Sequence, residues 1–146
     1  MKTLFLILLL IVIGVLGFIR LAPTNVDKWH IDPVSAIDPG EAGALLVPGD
    51  VTSPLPPEQL LARFDAIVLD QPRSTTLAGS VDDLHISYVV RSKWFGFPDY
   101  VTVRALPTAT GSTLAVLSRL RFGFSDAGVN RARLDGWLRA LDALDQ

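Results

Sequence analysis

The chain opens on an unbroken apolar run and then changes its hydrophobic period several times. Thr3 to Ile19 carry no charge, a length near the lower limit of about 17 residues for a bilayer span. At about 1.5 Å per residue such a run rises ~26 Å, and Lys2 and Arg20 at its ends can snorkel toward the two surfaces of a ~30 Å hydrocarbon core. Residues 1–22 therefore read as a membrane anchor. A cleaved secretory signal, cut after Val15-Leu16-Gly17, is the alternative. Further along, Leu60, Leu61, Phe64, Ile67 and Val68 recur at helical spacing behind Pro57 and Glu58, which predicts a helix over 57–70. Residues 73–80 predict a short strand closed by Gly79. Residues 84–92 alternate strictly, with Leu84, Ile86, Tyr88 and Val90 on one face and His85, Ser87 and Arg91 on the other. Residues 100–106 and 113–122 do the same, joined by a turn in which Gly111 permits a positive φ. A last apolar stripe, Leu134, Trp137, Leu138, Leu141 and Leu144, predicts a helix that starts near Ser125-Asp126.

These periods combine into an α+β architecture: an N-terminal transmembrane helix, a helix, an antiparallel meander of about four strands, and a C-terminal helix packed on the sheet's apolar face. Between anchor and domain, residues 23–56 hold six prolines and Gly40, Gly43 and Gly49, a density that excludes long regular elements and reads as an acidic linker. Two pieces of it are able to order, "KWHID" around Trp29 and "ALLV" at 44–47, by adding to a sheet edge or filling a groove. As a coil of about 34 residues it would span ~30 Å and keep the domain, 57–146, near the bilayer.

The connection between the second and third strands breaks the alternation with Trp94, Phe95, Gly96, Phe97, Pro98 and Asp99. It is long for a hairpin, and Pro98 cannot donate to a ladder, so a structured loop is expected. Its aromatics either close one end of the core as a lid or stay exposed, dipping into lipid headgroups or walling a ligand groove.

Charge is distributed unevenly. Residues 23–72 hold two basic and eight acidic side chains, whereas 73–146 hold nine basic and seven acidic ones. Arg91, Arg104, Arg119 and Arg121 project from the polar faces of the predicted strands, and Arg131 and Arg133 lie in the first turns of the last helix. Two readings are open. The arginines pair with the acidic linker and with Asp99 or Asp126, or Arg91, Arg104, Arg119, Arg121 and Arg131 form an anion site, with Trp94, Phe95, Phe97 and Asp99 as loop contacts. A nucleic-acid partner is not expected from a net charge of −2. The absence of cysteine removes thiol catalysis, thiolate metal sites and disulfides. His30 and His85 fit no metal spacing, no phosphate-loop or nucleophile-elbow motif occurs, and no cofactor or metal is implied.

The segments "PRSTTLAGS", "YVVRSKWFGFPDYVTVRAL" and "GSTLAVLSRLRFGFSDAGVNRARLDGWLRAL" resemble, in that order, the domain of unknown function 1499 family over about residues 57–142. The family's members often carry an N-terminal membrane segment, and no activity comes with the resemblance. Its most specific parts are Phe97-Pro98-Asp99 and the helix-turn motif of Ser125, Asp126, Gly128 and Asn130, followed by Arg131 and Arg133. The chain departs from the commoner form at Tyr100, where a second acidic residue is frequent. Physically, the motif reads as a glycine-permitted bend with a capping side chain, locking the last helix onto the sheet, or as a helix start able to hold an anion.

The expectation is thus a membrane-anchored, exported domain with a non-enzymatic binding role. Its partners would be membrane lipid through residues 3–22 and an anionic ligand, headgroup or protein. An accessory subunit of a membrane complex, or an enzyme built on Asp99, Asp126 and arginines, are the alternatives.

Overall fold

The computed structural model describes residues 1–144. Helix α1 (Lys2–Leu21) is long and apolar enough to cross a membrane, with a mean hydropathy of 3.0. A one-turn helix α2 (Val26–Trp29) follows, capped by the Asn25 side chain, and then a 3-10 turn at Pro33–Ser35. The folded body comprises β1 (Gly43–Ser53), α3 (Pro57–Asp70), β2 (Ser74–Ser80), β3 (His85–Arg91), β4 (Pro98–Thr108), β5 (Gly111–Leu120) and α4 (Val129–Ala143). All strand pairs are antiparallel, in the order β1-β5-β4-β3-β2.

Four of these strands are the predicted meander, displaced by a residue or two at their ends. The sheet has five rather than about four, because "ALLV" continues into an edge strand beside β5. Its alternation is interrupted in sequence by Pro48-Gly49-Asp50, which forms a bulge between Leu46 and Val51. A proline is tolerated there because β1 is an edge strand.

Helices α3 and α4 cover one face. Phe64 and Trp137 meet edge to face at 5.8 Å between the two helices, and Leu60, Leu61, Val68, Leu134 and Leu141 pack with Ile86, Val101, Val103, Leu114 and Val116 of the sheet. Tyr88, also in this layer, donates its hydroxyl to Asp65 at 2.8 Å. Burial, reinforced by that bond, pushes the phenol's pKa upward and keeps it protonated.

The opposite face, expected to be open, is covered too. Ser87, Thr102, Ala115, Leu117 and Tyr100 are all buried there, beneath Ala22, Trp29 and Pro33. Residues 22–35, read from sequence as the last residue of the anchor and the first part of the linker, form a strap across the sheet.

Candidate functional site

Single side chains build the strap. The Trp29 ring stacks on Tyr100 at 4.0 Å and 14°, and its backbone carbonyl accepts a bond from Thr102 Oγ1 at 3.0 Å. His30 stacks on His85 at 4.0 Å, with its Nδ1 2.7 Å from Ser87 Oγ. Burial first, then the neighbouring His30, lowers the pKa of His85. Three of the arginines expected on this face hold the strap down. Arg104 pairs with Asp32. Arg119 lies 4.8 Å from the centre of the Trp29 ring, and burial lowers its pKa. Arg121 donates to the carbonyl of Pro23 at 2.8 Å, that of Ala22 at 3.2 Å and the Tyr100 hydroxyl at 3.0 Å. Tyr100 is therefore part of the strap's seat.

Arg91 lies elsewhere, at the end of β3 that faces α1. The loop after it is closed by Ser92, whose N–H donates to the Phe97 carbonyl at 2.9 Å and whose Oγ accepts from the Phe97 N–H at 3.0 Å. Gly96 has φ +71, and a Cβ there would stand 2.9 Å from Arg20 Nε. The left-handed backbone favours glycine here, and a side chain would displace Arg20 from its place. Arg20, from the last turn of α1, donates Nε to the Phe95 carbonyl at 3.2 Å and Nη2 to that of Trp94 at 3.4 Å. The aromatic loop is therefore docked on the end of the apolar helix. Phe97 is half-buried in a line of edge contacts, Phe95–Phe97–Phe122–Phe18, whereas Trp94 is 77% and Phe95 55% exposed. Of the two expectations for this loop, a core lid is not what Trp94 and Phe95 form.

Beneath the loop lies an open cavity of about 290 Å³ lined by Arg20, Arg73, Arg91, Ser92, Lys93 and Gly96. Its four cations are fixed by neutral groups. Arg91 Nη1 donates to the Gly96 carbonyl at 2.9 Å, Arg73 Nε to that of Arg91 at 3.2 Å, and Lys93 Nζ stands 5.1 Å from the centre of the Trp94 ring. Among the described residues none of the four has a carboxylate within salt-bridge distance. Arg73 occupies this place with φ +67, a backbone conformation costly for a residue with a Cβ.

The cavity continues into a second of about 320 Å³, which shares Arg73, Arg91, Ser92 and Lys93 and reaches Asp99, Arg133 and Trp137. Here Arg133 Nη2 donates to Asp99 at 2.8 Å and Nη1 to Asn130 Oδ1 at 2.7 Å, while the buried Ser118 hydroxyl also donates to that oxygen. Burial raises the pKa of Asp99 against the opposing pull of Arg133. Asp126 does not join them in the cavity. Its two oxygens accept the N–H groups of Gly128 at 2.8 Å and Asn130 at 2.9 Å, capping α4. Against a desolvation cost, those N–H bonds hold its carboxyl below the usual range. Ser125 Oγ accepts from the Ala127 N–H at 3.2 Å, and Gly128, at φ +81, makes the bend. Arg131 turns away to Asp135, 3.1 Å off on the same helix.

This turn, the Pro98-Asp99 strand start and most of the strap lie within one stretch that matches a family model, described as a protein of unknown function (DUF1499), over residues 25–141. The chain belongs to the DUF1499 family. No curated protein and no solved structure matches it. The match begins well before Pro57, where the sequence resemblance starts, and so takes in the strap from residue 25 onward and β1.

Of the five arginines expected from sequence at an anion site, this DUF1499 chain brings only Arg91 to the cationic cavity. Arg104, Arg119 and Arg121 bind the strap, and Arg131 is paired on its helix. The cations that accompany Arg91 are not among those five: Arg20 ends the apolar run, Arg73 opens a predicted strand, and Lys93 precedes Trp94. Arg133 was legible as one of two basic residues in the first turns of a helix and at the end of the helix-turn motif.

Proposed function

We propose that the protein is a single-pass, membrane-anchored binding module with its folded domain on the exported side, and that the cavity of Arg20, Arg73, Arg91 and Lys93 takes a phosphate-type anion. One observation carries the reading: four cations converge on one open cavity, none of them with a carboxylate within salt-bridge distance among the described residues, and each oriented by a carbonyl or an aromatic ring. Guanidinium groups held this way keep further N–H donors free for phosphate oxygens. The arrangement favours binding over catalysis. Beside Asp99 the adjoining cavity presents, among the described residues, no second carboxylate and no histidine to act as an acid–base partner.

Trp94, far more exposed than Trp29 and Trp137, supplies a local reporter. Titrating the full chain in dodecyl maltoside micelles with inorganic pyrophosphate at fixed ionic strength is expected to give a saturable change in tryptophan emission. A charge-assisted hydrogen bond contributes about 1.5–3 kcal/mol, so Arg73→Gln with Arg91→Gln should weaken binding by at least about tenfold. Arg104→Gln should leave it unchanged. A linear, non-saturable response, or equal weakening by Arg104→Gln, would count against the cavity.

A further inference from the structure

Resting on that reading, the structure assigns the ligand's class: we infer that the cavity holds the phosphate of one anionic glycerophospholipid, whose acyl chain lies in the groove between α1 and the aromatic loop. The groove is a third cavity, of about 330 Å³, walled by Ile13, Leu16 and Gly17 of α1 and by Trp94 and Phe95, and it shares Arg20 with the cationic one. Arg20 stands where the two meet, fixed by its bonds to the Trp94 and Phe95 carbonyls. The ligand that fits both is amphipathic, with a compact anion at one end and a hydrocarbon at the other.

Depth agrees with this assignment. Seven residues separate Ile13 from Arg20, which is about 10 Å of helix rise, so the groove runs from the helix end into the part of α1 that lies deepest in hydrocarbon. Trp94 and Phe95 are exposed beside Arg20 at the mouth of this groove, and aromatic side chains with neighbouring cations mark the headgroup boundary of membrane proteins. A Cβ on Gly17 would meet nothing within 4 Å, so the groove wall is open at this position. A soluble phosphate would use the cations and leave the groove empty.

The test is native mass spectrometry of the full chain in dodecyl maltoside with added phosphatidylglycerol or phosphatidylcholine, together with competition by glycerol 1-phosphate. One phosphatidylglycerol should be retained at concentrations where phosphatidylcholine is not. Lys93→Gln with Arg73→Gln should lower its retention at least about tenfold, and Gly17→Leu, which fills the groove at a half-buried helical position, several-fold. Glycerol 1-phosphate should not displace it. Equal competition by glycerol 1-phosphate together with no effect of Gly17→Leu overturns the lipid assignment while the anion reading stands. Equal retention of the two lipids, whatever the substitution, overturns both. Circular dichroism of Gly17→Leu and of Lys93→Gln alone separates lost binding from lost fold.

Discussion

Replacing Arg133 with leucine is expected to destabilise the domain by about 3–5 kcal/mol, the usual cost of leaving one partner of a buried ion pair alone. Arg133 and Asp99 have side chains only 15% and 14% exposed, so water offers Asp99 little compensation. Asn130 would lose a donor to its Oδ1 at the same time. The pH dependence has a definite sign. Burial already sets the Asp99 carboxyl above its ordinary 3.8, and losing Arg133 removes the main opposing influence. A carboxyl whose pKa is raised by folding adds stability below its unfolded value and loses that contribution as pH rises through the folded one. The deficit of Arg133→Leu, measured by chemical denaturation of the full chain, should therefore shrink toward pH 4 and be largest near neutrality. Adding Asp99→Leu should recover most of it, because an apolar pair of similar volume commonly substitutes for a buried ion pair. A deficit below about 1 kcal/mol at pH 7 would mean the pair is effectively solvated.

The second large effect falls on the strap. Trp29 is 7% exposed, stacked on Tyr100 and beneath Arg119. Trp29→Ala should cost about 3–5 kcal/mol, the range for truncating a large buried aromatic. It should also raise hydrogen exchange at residues 22–35, whereas Trp29→Phe, which keeps a stacking ring, should retain much of both. Were residues 22–35 only a tether, as their composition suggests, truncating Trp29 would leave stability and exchange unchanged.

That contrast shows where local pattern stops informing. The strands from Ser74 to Leu120 and helices α3 and α4 were legible because period 2 and period 3.6 are repeated signals, each element stating its apolar face several times over. The strap has no period. Trp29, His30 and Asp32 each meet a different partner far along the chain, and proline and glycine density excludes regular elements without excluding order. The arginines' face was legible, but not what covers it. Ser118 breaks the apolar alternation of β5 because it faces Asn130, a pairing between two elements that neither segment announces alone. The cationic cavity was hidden for the same reason. It joins the end of α1, the start of β2 and the loop after β3, and Arg73 reaches it through a left-handed backbone that no propensity favours.

The central claim is that α1 holds the aromatic loop and its cationic cavity at the surface of the bilayer. Quenching of tryptophan emission tests it most directly, with the full chain reconstituted into vesicles of phosphatidylglycerol brominated near the glycerol end of the acyl chains. Trp29 and Trp137 are buried and give a constant background, so the wild-type protein should be quenched strongly and Trp94→Phe much less. Equal quenching of the two proteins would contradict the claim, because it would place Trp94 away from lipid.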